Sequence, residues 1–420
     1  MPDAREGEGF FLNVAEKLDD PFPDLKYFRE NRPVFFYPPL ESWFIFRYDD
    51  VSSLLHDERL SANRMRGFVD AAPAEVRGDL RRIAPSLEAF MLMKEGEDHV
   101  RVRAGMRLGL TPDVIHHLGD SIQRCVDELL DLAKDRGHLD AAGEFAFLLP
   151  AYVLSDLFGV HKEDRGKIVQ WSVAFVDFFN ILPISVETTR RFLQSGFALM
   201  EYTRGLIAER RAKPKDDFLG ALAAAQADKG GLTEDEIASN IMLLLLAGHV
   251  AVRNLIGNTL YLLLTHPDQL ARLRADPALL TDAIEETLRF ESPISLIPRV
   301  AGEDLELHGN AIRKGQLVQL SLASANRDAA HFPDGERFDI TREPGKHLAF
   351  GIGPHGCFGA ALAREIAHIA LETLFRRIPL LRLDGSKEIR WYRNAGNRGP
   401  ITLPLVFPVP DPEVGRGVRT

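Results

Sequence analysis

The feature that most constrains the fold is a long apolar segment that begins at Thr233 and ends before Pro267. Thr233 and Glu236 have the spacing of a capping box, in which two side chains satisfy free backbone N–H groups at a helix start. A helix of roughly 30 residues is about 45 Å long at 1.5 Å per residue. Because this segment is apolar on nearly all sides, it is predicted to cross the centre of the protein.

The remaining pattern predicts a mainly α protein with small β-sheets. Aromatic and β-branched residues among turn-forming residues predict strands at 33–48 and 401–407. The chain between 293 and 341 reads as extended and rich in turns. Apolar residues recur at helical spacing in four further segments, 121–134, 268–275, 278–290 and 359–377.

Composition excludes several classes of protein. The 420 residues carry a formal net charge of −10, whereas nucleic-acid-binding proteins usually have a basic excess. Two cysteines, Cys125 and Cys357, are too few for a disulfide framework or a zinc cluster, and they fit a reducing cytosol. The apolar run 241–247 is shorter than the roughly 20 residues that cross a bilayer. We therefore expect a cytoplasmic protein without nucleic-acid or membrane partners.

The most informative segment is 350–359, which reads Phe-Gly-Ile-Gly-Pro-His-Gly-Cys-Phe-Gly. Four glycines in ten residues predict a tight loop that leads directly into the helix at 359–377. A Cys357 thiolate there would gain from the helix dipole and from free backbone N–H groups. Cys125, in contrast, lies on the apolar stripe of a helix and fits the core. Taken alone, the Cys357 segment also fits a buried free cysteine beside a turn.

The whole segment resembles the haem-binding loop of cytochromes P450, Phe-Gly-x-Gly-x-His-x-Cys-x-Gly. The resemblance extends over about 33–407 and implies one domain over 1–420, with loosely ordered ends at 1–20 and 409–420. It implies haem b, iron protoporphyrin IX, between the central helix and the helix after the loop, with Cys357 as the axial thiolate ligand. Such ligation favours O–O cleavage. Every fixed place of the loop is filled, by Phe350, Gly351, Gly353, His355, Cys357 and Gly359.

The resemblance also implies a structural triad and a set of haem-binding side chains. Glu286 and Arg289 match the Glu-x-x-Arg of the family, and Arg337 matches its partner arginine. The i,i+3 spacing suits an ion pair on one helix face, whether buried or on the surface. Besides the loop residues Phe350, Gly351 and Gly359, the cofactor-binding places, including those for the haem propionates, are filled by His99, Arg103, Arg299 and His355.

The central helix departs from the family on the oxygen side of the haem. Related bacterial members typically read Ala-Gly-His-Glu-Thr-Thr, whereas this chain reads Ala247-Gly248-His249-Val250-Ala251-Val252. Val250 and Ala251 thus replace an acid and an alcohol that deliver protons, and neither can do so. We expect water or a substrate hydroxyl to deliver the protons instead. A peroxide-dependent peroxygenase, an oxidative-coupling enzyme and a non-catalytic haem-binding protein are the alternatives.

Arg253 is a further unusual residue expected on the oxygen side. A buried cation must be paired, so Arg253 fits either a structural pair with a nearby carboxylate or a contact with an acidic group of the substrate. The substrate pocket is expected to be mostly apolar. Its lining is predicted to include an aromatic stripe, which core packing also explains, and the segment before Arg299; these residues are Phe178, Phe179, Ile294, Leu296 and Ile297.

The sequence contains no flavin or nicotinamide segment, so electrons are expected from a separate ferredoxin and ferredoxin reductase. A local basic patch could bind an acidic ferredoxin despite the acidic total charge. Arg101, Arg107 and Arg364 are the candidates. The expected function is a haem-thiolate monooxygenase that oxidises an apolar or aromatic small molecule of secondary metabolism.

Overall fold

The computed structural model describes residues 15–180, 185–225, 231–343 and 345–409. The helices in these ranges are α1 (Phe22–Asn31), α2 (Tyr48–Leu54), α3 (Met65–Ala71), α4 (Ala74–Glu88), α5 (Gly96–Arg107), α6 (Pro112–Asp131), α7 (Leu148–Leu157), α8 (Arg165–Asn180), α9 (Val186–Ala212), α10 (Phe218–Ala225), α11 (Glu234–Thr265), α12 (Pro267–Ala275), α13 (Leu280–Phe290), α14 (Leu322–Ala325) and α15 (Ala360–Arg377). The strands are β1 (Val34–Tyr37), β2 (Ser42–Ile45), β3 (Leu60–Ser61), β4 (His138–Asp140), β5 (Leu296–Ala301), β6 (Leu305–Leu307), β7 (Asn310–Ile312), β8 (Leu317–Ser321), β9 (Arg382–Leu383), β10 (Arg390–Trp391), β11 (Pro400–Thr402) and β12 (Pro404–Val406). The mainly α prediction is confirmed.

The central helix α11 begins with the predicted capping box. Thr233 Oγ1 accepts from the Glu236 N–H at 3.1 Å, and Glu236 Oε2 accepts from the Thr233 N–H at 3.0 Å. By length and composition α11 could cross a membrane, but 78% of its most apolar window is buried inside the protein. A core helix has this property, so α11 is the interior helix that the sequence predicts.

Two apolar clusters hold α11 in place. Its first half packs with α4, α8 and α9, and its second half packs with α13 and α15. Burying one large apolar side chain stabilises a fold by about 1.5–3 kcal/mol, so a helix buried along most of its length is firmly positioned. Elements that contact α11 are therefore held in fixed positions relative to one another.

The sheets lie beside this helical core. The largest has the order β1-β2-β8-β5-β3, with β2 and β8 parallel and the other pairs antiparallel. β1 and β2 occupy the predicted strand region 33–48, and β11 and β12 occupy the predicted tail. Helix α6 begins at Pro112, earlier than predicted, because the Thr111 hydroxyl caps it by accepting from the Val114 N–H at 3.2 Å.

Most of the ends expected to be loosely ordered, 1–14 and 410–420, lie outside the described residues. At the start of the described residues, Ala15–Leu18 forms a short 3-10 turn. Asp19 then pairs with Arg393 at 2.7 Å, which joins the start of the described chain to the turn after β10.

Candidate functional site

Helix α11 is accessible along one face near its middle. Leu244, Ala247, Gly248 and Ala251 are accessible, while the residues on both sides of this stretch are mostly buried. Residues three and four apart share one face of a helix, so these four form a single accessible stripe. Val250 borders the stripe and is buried. Because the rest of α11 is mostly buried, this accessibility indicates an internal cleft beside the stripe, which carries only aliphatic side chains and a glycine.

The cysteine loop has the tight geometry that its glycines predict. Gly351 and Gly353 have positive φ values of 62° and 74°. A Cβ on Gly353 would lie 3.1 Å from the Leu55 carbonyl oxygen, so a side chain there would be both strained and crowded. The Cys357 N–H donates to the Phe350 carbonyl at 2.8 Å, and α15 begins three residues later. The loop therefore holds Cys357 at a defined position next to a helix start.

The Cys357 thiol is exposed, whereas Cys125 is buried. Even so, desolvation by the surrounding protein raises the pKa of Cys357, and the Gly359 N–H, Arg103 and Arg364 partly oppose this rise. A bound metal ion reverses this balance, since a coordinating thiol is deprotonated. The loop thus presents one sulfur ligand with hydrogen-bonding and cationic support.

Basic side chains converge beside this loop. The rings of His99 and His355 lie 4.3 Å apart, and Arg103 Nη2 donates to the Gly356 carbonyl at 2.7 Å. Burial and the surrounding charges of His99, Arg299, Arg103 and Arg64 lower the pKa of His355 to about 4. Four predicted cofactor-binding residues are therefore brought together, and Arg64 joins them.

Arg64 and Arg299 share one acceptor. Arg64 Nη1 and Arg299 Nη1 both donate to the Pro298 carbonyl, at 2.8 and 3.0 Å. Burial lowers the pKa of each guanidinium to about 10. Arg64 Nε is buried without a hydrogen-bond partner, and neither arginine forms an ion pair with a carboxylate of the described residues. Because unpaired buried cations are costly, this cluster fits an anionic ligand with two carboxylates, as haem provides through its propionates.

The sequence reasoning missed Arg64 because no local pattern marks it. It follows β3, which pairs with β5 through Leu60 and Ala301 and through Ser61 and Val300. This long-range pairing alone brings Arg64 next to Arg299.

The Glu286–Arg289 pair is buried. Glu286 accepts from Arg289 Nε at 2.7 Å and from its Nη2 at 2.8 Å, and both residues are at most 5% exposed. Glu286 also accepts from the Asp339 N–H at 3.0 Å. The pair thus links α13 to the loop before the cysteine segment, and the surface alternative does not apply.

The third member of this triad differs from the prediction. Arg342 Nε lies 3.3 Å from Glu286 Oε1, whereas the side chain of Arg337 is 59% exposed and faces Asp339 at 3.5 Å. The turn at Asp334, which has a φ of 53°, precedes Arg337. Arg337 contributes only its carbonyl, which accepts from Arg289 at 3.0 Å.

Two predicted site residues lie elsewhere. Arg253 is buried on the opposite face of α11 from the accessible stripe, because it lies about half a turn away at 3.6 residues per turn. Phe178 is 2% exposed and stacks on Phe192 with ring centroids 4.0 Å apart, so it belongs to the core. The side chain of Phe179 lies outside the described residues.

The segment before Arg299 forms a second wall of the cleft. Ile294 and Ile297 are partly accessible, whereas Leu296 points to the other face of β5 and packs against the cluster that contains Phe28 and Phe44. At one end of this segment the Pro293 carbonyl accepts from Asn254 of α11 at 3.4 Å. At the other end the Ile297 side chain lies beside Gly351 of the cysteine loop. The segment therefore spans from the central helix to the loop.

Two of the three candidate patch arginines are neutralised. Arg101 pairs with Glu236 at 2.5 Å, and Arg364 pairs with Glu285 at 2.6 Å. Arg107 is exposed. A basic patch built on all three is therefore weaker than the sequence suggests.

A long buried helix, an anchored thiol and a cluster of basic side chains with two buried guanidinium groups are the features of a haem-thiolate protein. The profile of the cytochrome P450 family matches residues 162–390. Cytochrome P450 107B1 of Saccharopolyspora erythraea is 40% identical over 372 residues, which cover 87% of this chain and 89% of that protein. The polyketide biosynthesis cytochrome P450 PksS of Bacillus subtilis is 33% identical over 406 residues, which cover 94% of this chain and 98% of that protein.

Solved structures agree with this similarity. The crystal structure of P450BioI in complex with acyl carrier protein ligated to hexadec-9Z-enoic acid has a TM-score of 0.85 at 32% identity and covers 94% of this chain and 99% of that chain. The chain belongs to the cytochrome P450 family. It is an oxidoreductase of the P450 type, and the cofactor of the family is haem b.

Proposed function

We propose that this protein is a haem-thiolate monooxygenase in which Cys357 ligates the iron. The proposal is supported by the defined position of Cys357 and by the buried cations beside it. His99, Arg103, Arg299, His355 and Arg64 would hold the propionates. When bound, the haem supplies oxygen activation and oxygen transfer, and the protein supplies ligation, orientation and control of protons.

The substrate class follows from the walls of the cleft. The accessible face of α11 is aliphatic, and Ile294 and Ile297 extend the apolar surface. Such a site orients an apolar or aromatic small molecule by shape, with few polar contacts. PksS is named for polyketide biosynthesis, which supports an intermediate of secondary metabolism as the substrate.

The observation that carries the mechanism is the absence of a proton-donating side chain on the accessible face of α11. Val250 and Ala251 supply neither an acid nor a hydroxyl. His249, next to them, is buried with its pKa lowered to about 4, mainly by burial, and its Nε2 donates to the Phe147 carbonyl at 2.6 Å. In this proposal, protons in the cleft come from water or from a hydroxyl of the substrate.

The electron donor in this proposal is a small ferredoxin with its reductase, in the cytoplasm. Arg107 is exposed and lies about two helical turns after His99 on the same side of α5. An acidic ferredoxin docked there would lie close to the proposed cofactor. Since Arg101 and Arg364 are already paired, binding would rely on fewer free charges and would respond modestly to salt.

Restoring the family residues with Val250→Glu and Ala251→Thr tests substrate-assisted proton delivery. Loss of a positioned general acid costs on the order of 10²- to 10⁴-fold in rate. The double variant is therefore expected to improve coupling for a substrate analogue without a hydroxyl more than for the hydroxylated compound. The measurement is product formed per NADPH consumed, with surrogate ferredoxin partners and both compounds.

Three other results would contradict this proposal. Equal coupling of both compounds in the unmodified protein would exclude delivery by the substrate hydroxyl. Full turnover with hydrogen peroxide and no redox partner would identify a peroxygenase. Normal haem loading without turnover by either route would identify a non-catalytic haem-binding protein.

Arg64→Gln tests the cation cluster. A hydrogen bond to a charged group stabilises by about 1.5–3 kcal/mol, so haem release is expected to accelerate by roughly 10- to 100-fold. Transfer of haem to excess apomyoglobin, followed by absorbance, measures the rate. Arg66→Gln is the matched control, because its side chain is 97% exposed two residues away. Equal release rates in the two variants would remove Arg64 from the propionate site.

A further inference from the structure

We infer that Arg253 is a positioning residue that holds the pocket wall in place from the far side of α11; the inference rests on the proposed function. Arg253 is 4% exposed. It lies about half a turn from the accessible stripe that includes Ala247 and Ala251. Its side chain therefore cannot contact a molecule in the cleft, and its effect must pass through the groups that its guanidinium binds.

The guanidinium binds residues on both sides of the turn between β10 and β11. Arg253 Nη1 donates to the Tyr392 hydroxyl at 2.6 Å, just after β10. Its Nη2 donates to the carbonyls of Pro400 and Ile401 in β11, at 3.2 and 3.4 Å. The Arg253 side chain thus holds the beginning and the end of this turn against the central helix.

Aromatic rings provide the remaining environment of this cation. Arg253 Cζ lies 5.1 Å from the ring centroid of Phe147 and 4.9 Å from that of Tyr392. Among the described residues, Arg253 has no ion pair with a carboxylate, so these contacts and three hydrogen bonds compensate its buried charge. Cation–π contacts strengthen when the charge is desolvated. Tyr392, through its ring and its hydroxyl, is therefore the main partner of Arg253 in the hairpin.

The turn of the hairpin is attached to the pocket wall. The Arg398 N–H donates to the Pro293 carbonyl at 3.0 Å, and the Ser295 N–H donates to the Gly396 carbonyl at 2.9 Å. Ile294 forms a β-bridge with Asn397. Ile294, whose side chain is partly accessible, is thus bonded to the same turn that Arg253 fixes at its base.

Close packing against α11 makes the position of this turn sensitive to small shifts. Asn258 Nδ2 donates to the carbonyls of Glu291 and Arg398, at 2.9 and 3.0 Å. A Cβ on Gly399 would lie 2.5 Å from the Asn254 side chain, so the backbone already approaches α11 as closely as it can. If loss of Arg253 shifts the hairpin, residues 293–296 are therefore expected to shift as well, because they are bonded to its turn.

Tyr392→Phe and Arg253→Met test this inference. Tyr392→Phe removes only the hydroxyl, and Arg253→Met removes the charge while keeping the length. Imidazole probes the haem alone, whereas 4-phenylimidazole also reaches the wall. Both variants are expected to weaken 4-phenylimidazole binding relative to imidazole by about 3- to 10-fold, as measured by spectral titration. This is less than the full effect of one lost charge-assisted hydrogen bond, because Arg253 acts on the wall only through the hairpin.

Hydrogen exchange supplies a readout that does not depend on haem. The amides of Ser295, Tyr392 and Arg398 report the wall and the turn, and they are expected to exchange faster in both variants. Amides of the β6–β7 hairpin provide the internal control. Tyr202→Phe is the matched variant, since its hydroxyl donates to Asp164 at 3.0 Å in another region.

The outcomes separate this inference from the proposed function. A lower melting temperature with an unchanged affinity ratio and unchanged exchange at 295, 392 and 398 would overturn the positioning role. The same ratio change in Tyr202→Phe would also overturn it. Failure of the unmodified protein to give an imidazole-induced shift would contradict the haem proposal, while faster exchange in the variants would still support the role of Arg253.

Discussion

Cys357→His is expected to abolish the spectrum of a thiolate-ligated haem and to reduce monooxygenase turnover to background. The thiolate pushes electron density to the iron and favours O–O cleavage, and a neutral imidazole does neither to the same degree. The reduced carbon monoxide complex should therefore move from the thiolate position to a histidine-like spectrum. Absorbance after reduction under carbon monoxide measures this directly.

Cys125→Ala is the matched control for this substitution. Cys125 is 1% exposed, and burial, with the nearby Asp156 carboxylate, raises its pKa to about 12. Because Cys125 is packed in the apolar core with no accessible surface for a cofactor, the Cys125 variant should keep both spectrum and turnover. A thiolate spectrum that persists in Cys357→His would disprove the assignment.

Glu286→Ala is expected to give haem-free or insoluble protein. Removing one partner of a buried ion pair costs about 3–5 kcal/mol, a large part of the stability of a typical domain. Glu286 also accepts from the Asp339 N–H, so the variant loses the link between α13 and the loop before the cysteine segment. The yield of soluble protein and the ratio of haem to protein absorbance measure the loss.

Asp79→Ala is the corresponding surface control. Asp79 and Arg82 form an i,i+3 pair at 3.5 Å with side chains 57% and 74% exposed, and such pairs contribute about 0–1 kcal/mol. Arg342→Ala should resemble Glu286→Ala in a milder form, whereas Arg337→Ala should have little effect. A more severe defect in Arg337→Ala than in Arg342→Ala would contradict the triad seen in the structure.

The features that could be predicted from sequence are local in the chain. The Thr233 capping box sets the start of α11, and the glycines around Cys357 set the tight loop. Both depend on residues within a few positions of one another, so their backbone geometry follows from neighbouring side chains. The same holds for Glu286 and Arg289, which are one helical turn apart.

Some site residues could not be predicted from the sequence, because contacts between distant segments determine their positions. Arg64 reaches Arg299 only because β3 pairs with β5, and Arg342 replaces Arg337 because a turn directs one side chain inward and the other to solvent. Neither result leaves a periodic signal in the sequence. Contacts between segments more than 200 residues apart, such as Arg64 with Pro298, are settled by packing of the whole chain.

The sequence by itself determined the family resemblance, the cysteine loop and the loss of an acid and an alcohol at Val250 and Ala251, because these are properties of residue type and spacing. Only the tertiary structure decided which face of α11 borders the cleft. That choice depends on where neighbouring helices bury the rest of α11, and it sends Arg253 to Tyr392 and the β-hairpin instead of to the cleft. An apolar helix of nearly uniform hydrophobicity carries no periodic signal for this orientation, so packing alone sets it.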